Sequence, residues 1–330
     1  MGFQTQGVER KVIAILKVLR DSQVILGARV IARRLKEQGV ELGERAVRYH
    51  LKIMDERGLT QLIGRDGRVI TESGIEELKN ALVRDKVGFA ISRIELQAFQ
   101  TDFDLKNKIG LIPVNVSLFS TDDFLKALKI VKPAFKAGLC VSNLVAKAEE
   151  GEELGELIVP KGKIGLATVC SVVINGCLLK SGIPMDSKFS GILQIKDNNP
   201  IRFIELIQYS GCSLDPSEVF IRAKMTKVRE VVETGSGRIL ATYREIPAPC
   251  QIPAREIIAE LEGAGISGFL VMGNVSETVC EIPVELNRIG IILVNGLNPI
   301  AAAVEAGVEV ENRGMSTVMQ YTDLIKLEDL

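Results

Sequence analysis

Between Gly43 and Thr60 the chain reads GERAVRYHLKIMDERGLT, and the types and spacing of these side chains suit one task. Val47, Leu51 and Met54 stand at i, i+4 and i+7, so a helix buries them on one face and leaves Arg45, Arg48, Tyr49 and Lys52 on the other. Such a helix can enter the major groove of DNA, where arginine reads guanine edges and the remaining groups hold phosphates. His50 is the one histidine of the chain. It stands one position from the apolar stripe, which suits a boundary residue or a phosphate contact better than catalysis. Further on, LTQLI and RVIT are short β-prone runs around Gly64-Arg65-Asp66-Gly67. Asp-Gly there predicts a hairpin, whose Arg65 and Arg68 would reach the neighbouring backbone or minor groove.

Other elements must hold that helix in place. Val8, Val12, Ile15, Leu16 and Leu19 recur at helical spacing and predict a helix ending before Asp21-Ser22. Ala28, Ile31, Ala32 and Leu35 predict a second, on GARVIARRLKEQG, stopping at Gly39. IEELKNAL predicts a closing helix. Three helices followed by a hairpin is the order of a winged helix-turn-helix, placed at 1–84. A charged outer face alone would fit any solvated helix, but it would not predict the hairpin. Residues 1–83 hold 15 Lys+Arg against 11 Asp+Glu, and 84–330 hold 26 against 31. The positive excess therefore sits at the end that carries the helix.

The remainder repeats itself. KIGLATVCSVVINGCLLKSGIPMDSK from Lys163 aligns without gaps on RIGIILVNGLNPIAAAVEAGVEVENR from Arg288, at a constant offset of 125 (288 − 163). Gly165 meets Gly290 and Gly182 meets Gly307, while Asp186 meets Glu311 and Lys188 meets Arg313. Each copy predicts a buried strand, a loop with Asn, a short helix ending at glycine, and another strand. Upstream, KPAFKAGLCVSN and AELEGAGISGFLVMGN match more loosely as helix, glycine break and strand. These observations predict a domain over 88–330 built as two similar halves, about 109–205 and 235–330, with pseudo-twofold symmetry and a ligand cleft between them.

That cleft offers binding groups and no catalytic set. Thr168, Cys170, Ser171 and Asn175 lie at the strand-to-helix turn of one half, Asn295 and Asn298 at that of the other. Helix-start N–H groups attract anions, so a small dicarboxylate is the expected occupant, with Lys180, Lys188 or Arg313 as counter-charge. Any one of these side chains could equally cap its own helix. With the single histidine in the basic unit, a Cys-His or Ser-His-Asp arrangement is not expected, and no GKS/T loop, HExxH or CxxC appears. No enzyme, cofactor or metal site is predicted. Cys140, Cys170, Cys177, Cys212, Cys250 and Cys280 are scattered as reduced thiols. The length of 330 residues suggests two or more domains, and the absence of Trp argues against a stacking platform for single strands. The start MGFQTQGVERK is unlike a signal peptide and no apolar run suits a membrane span, so a cytoplasmic location is expected.

The segment ERAVRYHLKIMDERGLT with RVITESG resembles the ribonuclease-R-type winged-helix domain. ATVCSVVINGCLLKSGIPMDSKFSG, SGCSLDPSEVFIRAKMT, REIPAP and LVNGLNPIAAAVEAGVEVENRGMSTVM resemble the NrpR domain, the effector module of nitrogen-regulatory repressors of methanogenic archaea. The resulting fold class is α+β multidomain: a winged helix-turn-helix followed by an internally duplicated α/β effector domain. The resemblance implies a repressor of nitrogen-assimilation genes, held on palindromic double-stranded operator DNA as a homodimer or larger homo-oligomer and released by 2-oxoglutarate. The chain holds one such domain where some members hold two in tandem. An adaptor or co-repressor paired with a second NrpR-like subunit is therefore weighed beside it, as is an α/β enzyme using Cys170 or Ser171.

Overall fold

The computed structural model describes residues 2–22, 24–64, 66–80 and 88–330. The chain divides into two compact units, Met1–Val87 and Gly88–Leu330.

In the first unit, α1 (Gly2–Ser22), α2 (Ala28–Glu37) and α3 (Glu44–Glu56) pack around Val12, Ile15, Leu16, Ile31, Leu35, Val47, Leu51 and Met54, each fully buried. The stripes legible in the sequence are the faces that meet. Strands β1 (Thr60–Ile63) and β2 (Gly67–Ile70) form an antiparallel hairpin, and α4 (Glu72–Asn80) follows. Leu26, between α1 and α2, exchanges two 3.0 Å backbone hydrogen bonds with Arg68, which ties the hairpin to the helices. Gly67 has φ +150°, and a Cβ there would fall 2.3 Å from the Leu26 carbonyl oxygen, so the close approach requires glycine.

The second unit opens with α5 (Phe89–Gln100). Then β3 (Leu111–Ser120), α6 (Phe124–Lys136), β4 (Leu144–Ala148), the short pair β5 (Glu153–Leu154) and β6 (Leu157–Ile158), β7 (Lys163–Val169), α7 (Val172–Lys180) and β8 (Asp186–Lys196) follow. Next come β9 (Asn199–Gln208), α8 (Pro216–Arg222) and α9 (Val228–Thr234). The β-α-β-β-α-β order then recurs as β10 (Gly237–Pro247), α10 (Gln251–Gly263), β11 (Phe269–Val275), β12 (Arg288–Val294), α11 (Asn298–Glu305) and β13 (Val310–Gln320), closed by β14 (Ile325–Lys326). Each run is a split βαβ unit.

The two runs do not make two self-contained halves. One sheet has the order β13-β3-β7-β4-β14 and the other β11-β12-β10-β8-β9, antiparallel throughout. The last strand of each repeat has crossed over: β8 pairs with β10 of the second repeat, and β13 with β3 of the first. Helices cross as well, with α6 and α11 sharing one core and α7 and α10 the other. Strand β12 shows why its sequence, RIGIILV, is almost purely apolar: Ile292 and Val294 enter the first core, Ile289, Ile291 and Leu293 the second. The open cleft expected between separate halves is replaced by this interlock.

Candidate functional site

On α3, Arg45, Arg48, Lys52 and Tyr49 are exposed, the last at 63%. Glu44 holds Arg48 in an i,i+4 ion pair on that face. His50 departs from expectation: it is 4% exposed, because position 50 falls three residues after Val47 and inside the same stripe. A buried imidazole cannot touch a phosphate, and burial first, then Lys11, lowers its pKa so that it stays neutral. Arg68 is half-buried, its Nε 2.8 Å from Asp55 Oδ2, while Thr60 Oγ1 donates to Asp55 Oδ1 at 2.6 Å. It fastens the hairpin to α3 and is no wing-tip probe. Arg65 lies outside the described residues.

In the second unit the turns that begin α7 and α11 meet across a cavity of about 10 Å³, room for one water. Cys170 and Ser171 from one repeat face Asn295 from the other, and Asn115, Val172, Thr242, Arg244, Tyr209, Asp215, Ser217, Ile94 and Met315 complete the walls. Cys170 and Asn295 are repeat partners (295 − 170 = 125), so the cavity sits on the pseudo-dyad. Asn115 opposes Thr168 and Thr242 opposes Leu293, so those two wall residues are partners as well.

Arg244 breaks the symmetry. Its guanidinium is 1% exposed and gives Nη1 to the Ser171 carbonyl at 3.0 Å and Nη2 to Ser171 Oγ at 2.8 Å. No carboxylate comes within 4.0 Å of it among the described residues, and Nε has no partner. Its neighbour Glu245, equally buried, accepts from Tyr243 Oη at 2.8 Å and has Lys188 and Arg288 each at 3.6 Å. An uncompensated buried charge is costly, on the order of several kcal/mol. Asn115 Nδ2 and Thr242 Oγ1 are also buried without partners. Three polar groups without a protein partner among the described residues thus converge on one cavity. The position equivalent to Arg244 is Ser117, which donates to Asn312 Oδ1 at 2.9 Å.

The carboxyls nearby are not counter-ions. Burial raises the pKa of Asp215, whose Oδ1 accepts the Ser217 N–H at 2.9 Å. Burial, then Asp215, pushes Glu218 up to about 7, and its Oε1 accepts the Gly314 N–H at 2.8 Å. Both therefore tend to keep a proton, which lessens their repulsion of an anion in the cavity.

Of the six residues expected at the effector site, Cys170, Ser171 and Asn295 line this cavity and three do not. Thr168 Oγ1 donates to the Gly296 carbonyl at 3.3 Å, across the two repeats. Asn175 is no loop residue: α7 begins directly after Ser171, and Asn175 Nδ2 donates to Ser187 Oγ at 3.0 Å. Asn298 clamps Leu240, accepting its N–H at 2.8 Å and donating to its carbonyl at 2.9 Å. The expected counter-charges are engaged elsewhere, Lys180 at Phe99 O, Lys188 with Asp186 and Glu285, Arg313 with Glu311. Sequence reasoning missed Arg244. Its signal was a charged pair, Arg244-Glu245, interrupting the apolar run ILATY. Cys170 is no nucleophile, since burial pushes its thiol up to about 11.

Residues 87–326 match the family model described as NrpR regulatory domains NRD1 and 2, and residues 13–78 match the ribonuclease R winged-helix domain. The global nitrogen regulator NrpRI of Methanosarcina mazei is 42% identical over 95% of this chain and 97% of its own length. The chain belongs to the NrpR family. The NrpR regulators of Methanococcus maripaludis and Methanocaldococcus jannaschii are 31% and 33% identical, and the chain spans only 54% and 56% of their lengths. A nitrogen repressor-like protein from Methanococcus jannaschii has a similar structure, with TM-score 0.62 at 26% identity, covering 72% of this chain and 98% of that one. These NrpR relatives are named as regulators, and none as an enzyme. Among the described residues no helix is long and apolar enough to cross a membrane, and no three His, Cys, Asp or Glu side chains cluster to hold a metal.

Proposed function

We propose that this chain represses nitrogen-assimilation genes by holding a palindromic operator as a homodimer, and that 2-oxoglutarate bound in the second unit weakens that hold. The observation that supports an anionic effector is Arg244, a buried cation with no carboxylate within 4.0 Å among the described residues, where Asn115 Nδ2 and Thr242 Oγ1 in the same cavity also have no partner. A carboxylate can accept from a guanidinium and two neutral donors with charge-assisted strength. At about 10 Å³ the cavity is too small for the effector, which must therefore select a more open conformation. Differential affinity for open and closed states is what couples ligand to DNA.

Calorimetry of the intact protein with 2-oxoglutarate, paired with an operator titration, tests the reading. Binding at millimolar concentration or tighter is expected, together with weakened operator affinity. Arg244→Gln is expected to abolish the heat and leave a repressor that no longer releases. No heat from the unaltered protein, with an unmoved operator titration, would remove the effector and favour an adaptor that needs a second NrpR-like subunit.

A further inference from the structure

Strand β9 forms one outer edge of the second sheet, ten residues long, and it exposes Ile201, Ile204 and Leu206 at 40%, 41% and 45%. Long apolar edges invite another strand, and folded proteins normally cover them. This protein covers other edges. On β13, the Glu156 N–H donates to Thr317 Oγ1 at 3.2 Å, bringing in the turn between β5 and β6. On β11, the Gly273 carbonyl accepts from Gln251 Nε2 at 3.3 Å. The edge strand β14 is only two residues long. Along β9, among the described residues, only the Pro200 carbonyl near its start is met in this way, by Cys280 Sγ at 3.8 Å.

The sequence of β9, NPIRFIELIQ, identifies what fits there. In its ladder with β8, Leu193 opposes Phe203 and Ile192 opposes Glu205, so Ile204 is an extra, bulged residue; Gln194 opposes Arg202 and Ile195 opposes Pro200, so Ile201 is a second one. The bulge at Ile204 shifts the alternation of side chains: Arg202, opposite Gln194, and Glu205, opposite Ile192, share one face of the sheet. Arg202 Nε donating to Gln194 Oε1 at 3.1 Å agrees with this. Residues three apart on a regular strand would point to opposite faces.

We propose that β9 pairs antiparallel with β9 of a second copy of this chain, about a twofold axis through Phe203. A twofold perpendicular to a sheet sets each residue against one on the same face, and the bulge at Ile204 makes Arg202 and Glu205 such a pair. Arg202 of each copy then faces Glu205 of the other, twice, while Leu206 meets Pro200 and Phe203 meets itself. Glu205 has no hydrogen bond or ion pair among the described residues, and Arg202 has only Gln194 and a distant Glu281 at 3.9 Å. Ile201 and Ile204 lose water on closure, and the two sheets become one. This inference rests on the two-copy reading above and adds the surface.

Charge reversal on the intact chain tests it, read by sedimentation with the thermal midpoint as a control for folding. The unaltered chain is expected to be a dimer, and Arg202→Glu and Glu205→Arg each to raise its dissociation constant at least about tenfold. An equimolar mixture of those two variants is expected to reassociate, since each like-charged edge then meets its opposite, and the chain carrying both changes to dimerise again. Variants that remain as dimeric as the unaltered chain overturn this surface and leave the two-copy reading standing. A monomeric unaltered chain that binds one palindrome tightly overturns both, and a mixture that stays monomeric overturns the pairing.

Discussion

Arg45 and Arg48 differ in their readiness to read a base. Glu44 already holds Arg48, whereas Arg45 is exposed and has no ion pair among the described residues. Replacing either with alanine is expected to weaken operator binding, with relaxed preference at one base position and a loss of about 1 to 3 kcal/mol where a guanine edge is read. Quantitative shift assays across single-base operator variants measure it; unchanged affinity in both would detach α3 from recognition. Glu218 gives a second residue-scale test, with Asp215, Arg93 and Arg222 as the charged groups facing it. Its folded pKa of about 7 exceeds the unfolded carboxyl value, so the native state keeps a proton that the unfolded chain loses in between. Stability should therefore fall as pH rises from roughly 4.5 to 7 and level off above, by on the order of 3 kcal/mol. Urea unfolding across that window checks this, and Glu218→Gln should flatten the slope.

At the scale of elements, α5 roofs the cavity on the pseudo-dyad. Ile94 lines it, Ala90 and Ala98 pack with Cys170, Val172, Tyr209 and Met315, and Gln97 Nε2 donates to the Met315 carbonyl at 2.8 Å. Helix α7 approaches α5 so closely that a Cβ on Gly176 would lie 2.3 Å from Thr101 Cβ. Gly176→Ala is expected to force the two apart and cost about 1 to 3 kcal/mol of stability by overpacking, read in thermal unfolding. Gly67→Ala should destabilise the hairpin through its φ and its contact with Leu26. Elements of this kind were largely legible beforehand, because Val47, Leu51 and Met54 carry the helical period and Asp66-Gly67 carries the turn. His50 and Asn175 were misplaced for a shared reason: one residue's shift in a helix boundary or stripe decides whether a polar side chain faces solvent or core. Arg244 stayed hidden because its neighbours come from Ser171, Asn115 and Asn295, and no local pattern announces which strands will meet.

For the whole molecule, the two units should respond to acid in opposite senses. His50 in the first unit has a lowered pKa, so the unfolded chain takes a proton near 6.5 that the folded one refuses, and stability is lost as pH falls through that value. The second unit, through Glu218, loses stability as pH rises. Differential scanning calorimetry at roughly pH 5 and 8 should therefore move two transitions in opposite directions; parallel movement would contradict it. Ligand and DNA must also be reciprocal: an effector that lowers operator affinity tenfold favours the released state by about 1.4 kcal/mol, and operator must weaken effector binding by the same factor.

The crossed final strands carry a consequence for symmetry itself. A chain with only one β-α-β-β-α-β run would have to borrow its last strand from an identical neighbour, and every group on the axis between them would then occur twice. Such a pair could offer two arginines or two serines at the axial cavity, never one of each. Joining both runs in a single polypeptide lifts that restriction, so the cavity receives one arginine, Arg244, while the equivalent Ser117 turns to Asn312 instead. A ligand with two unlike ends then has one preferred way round.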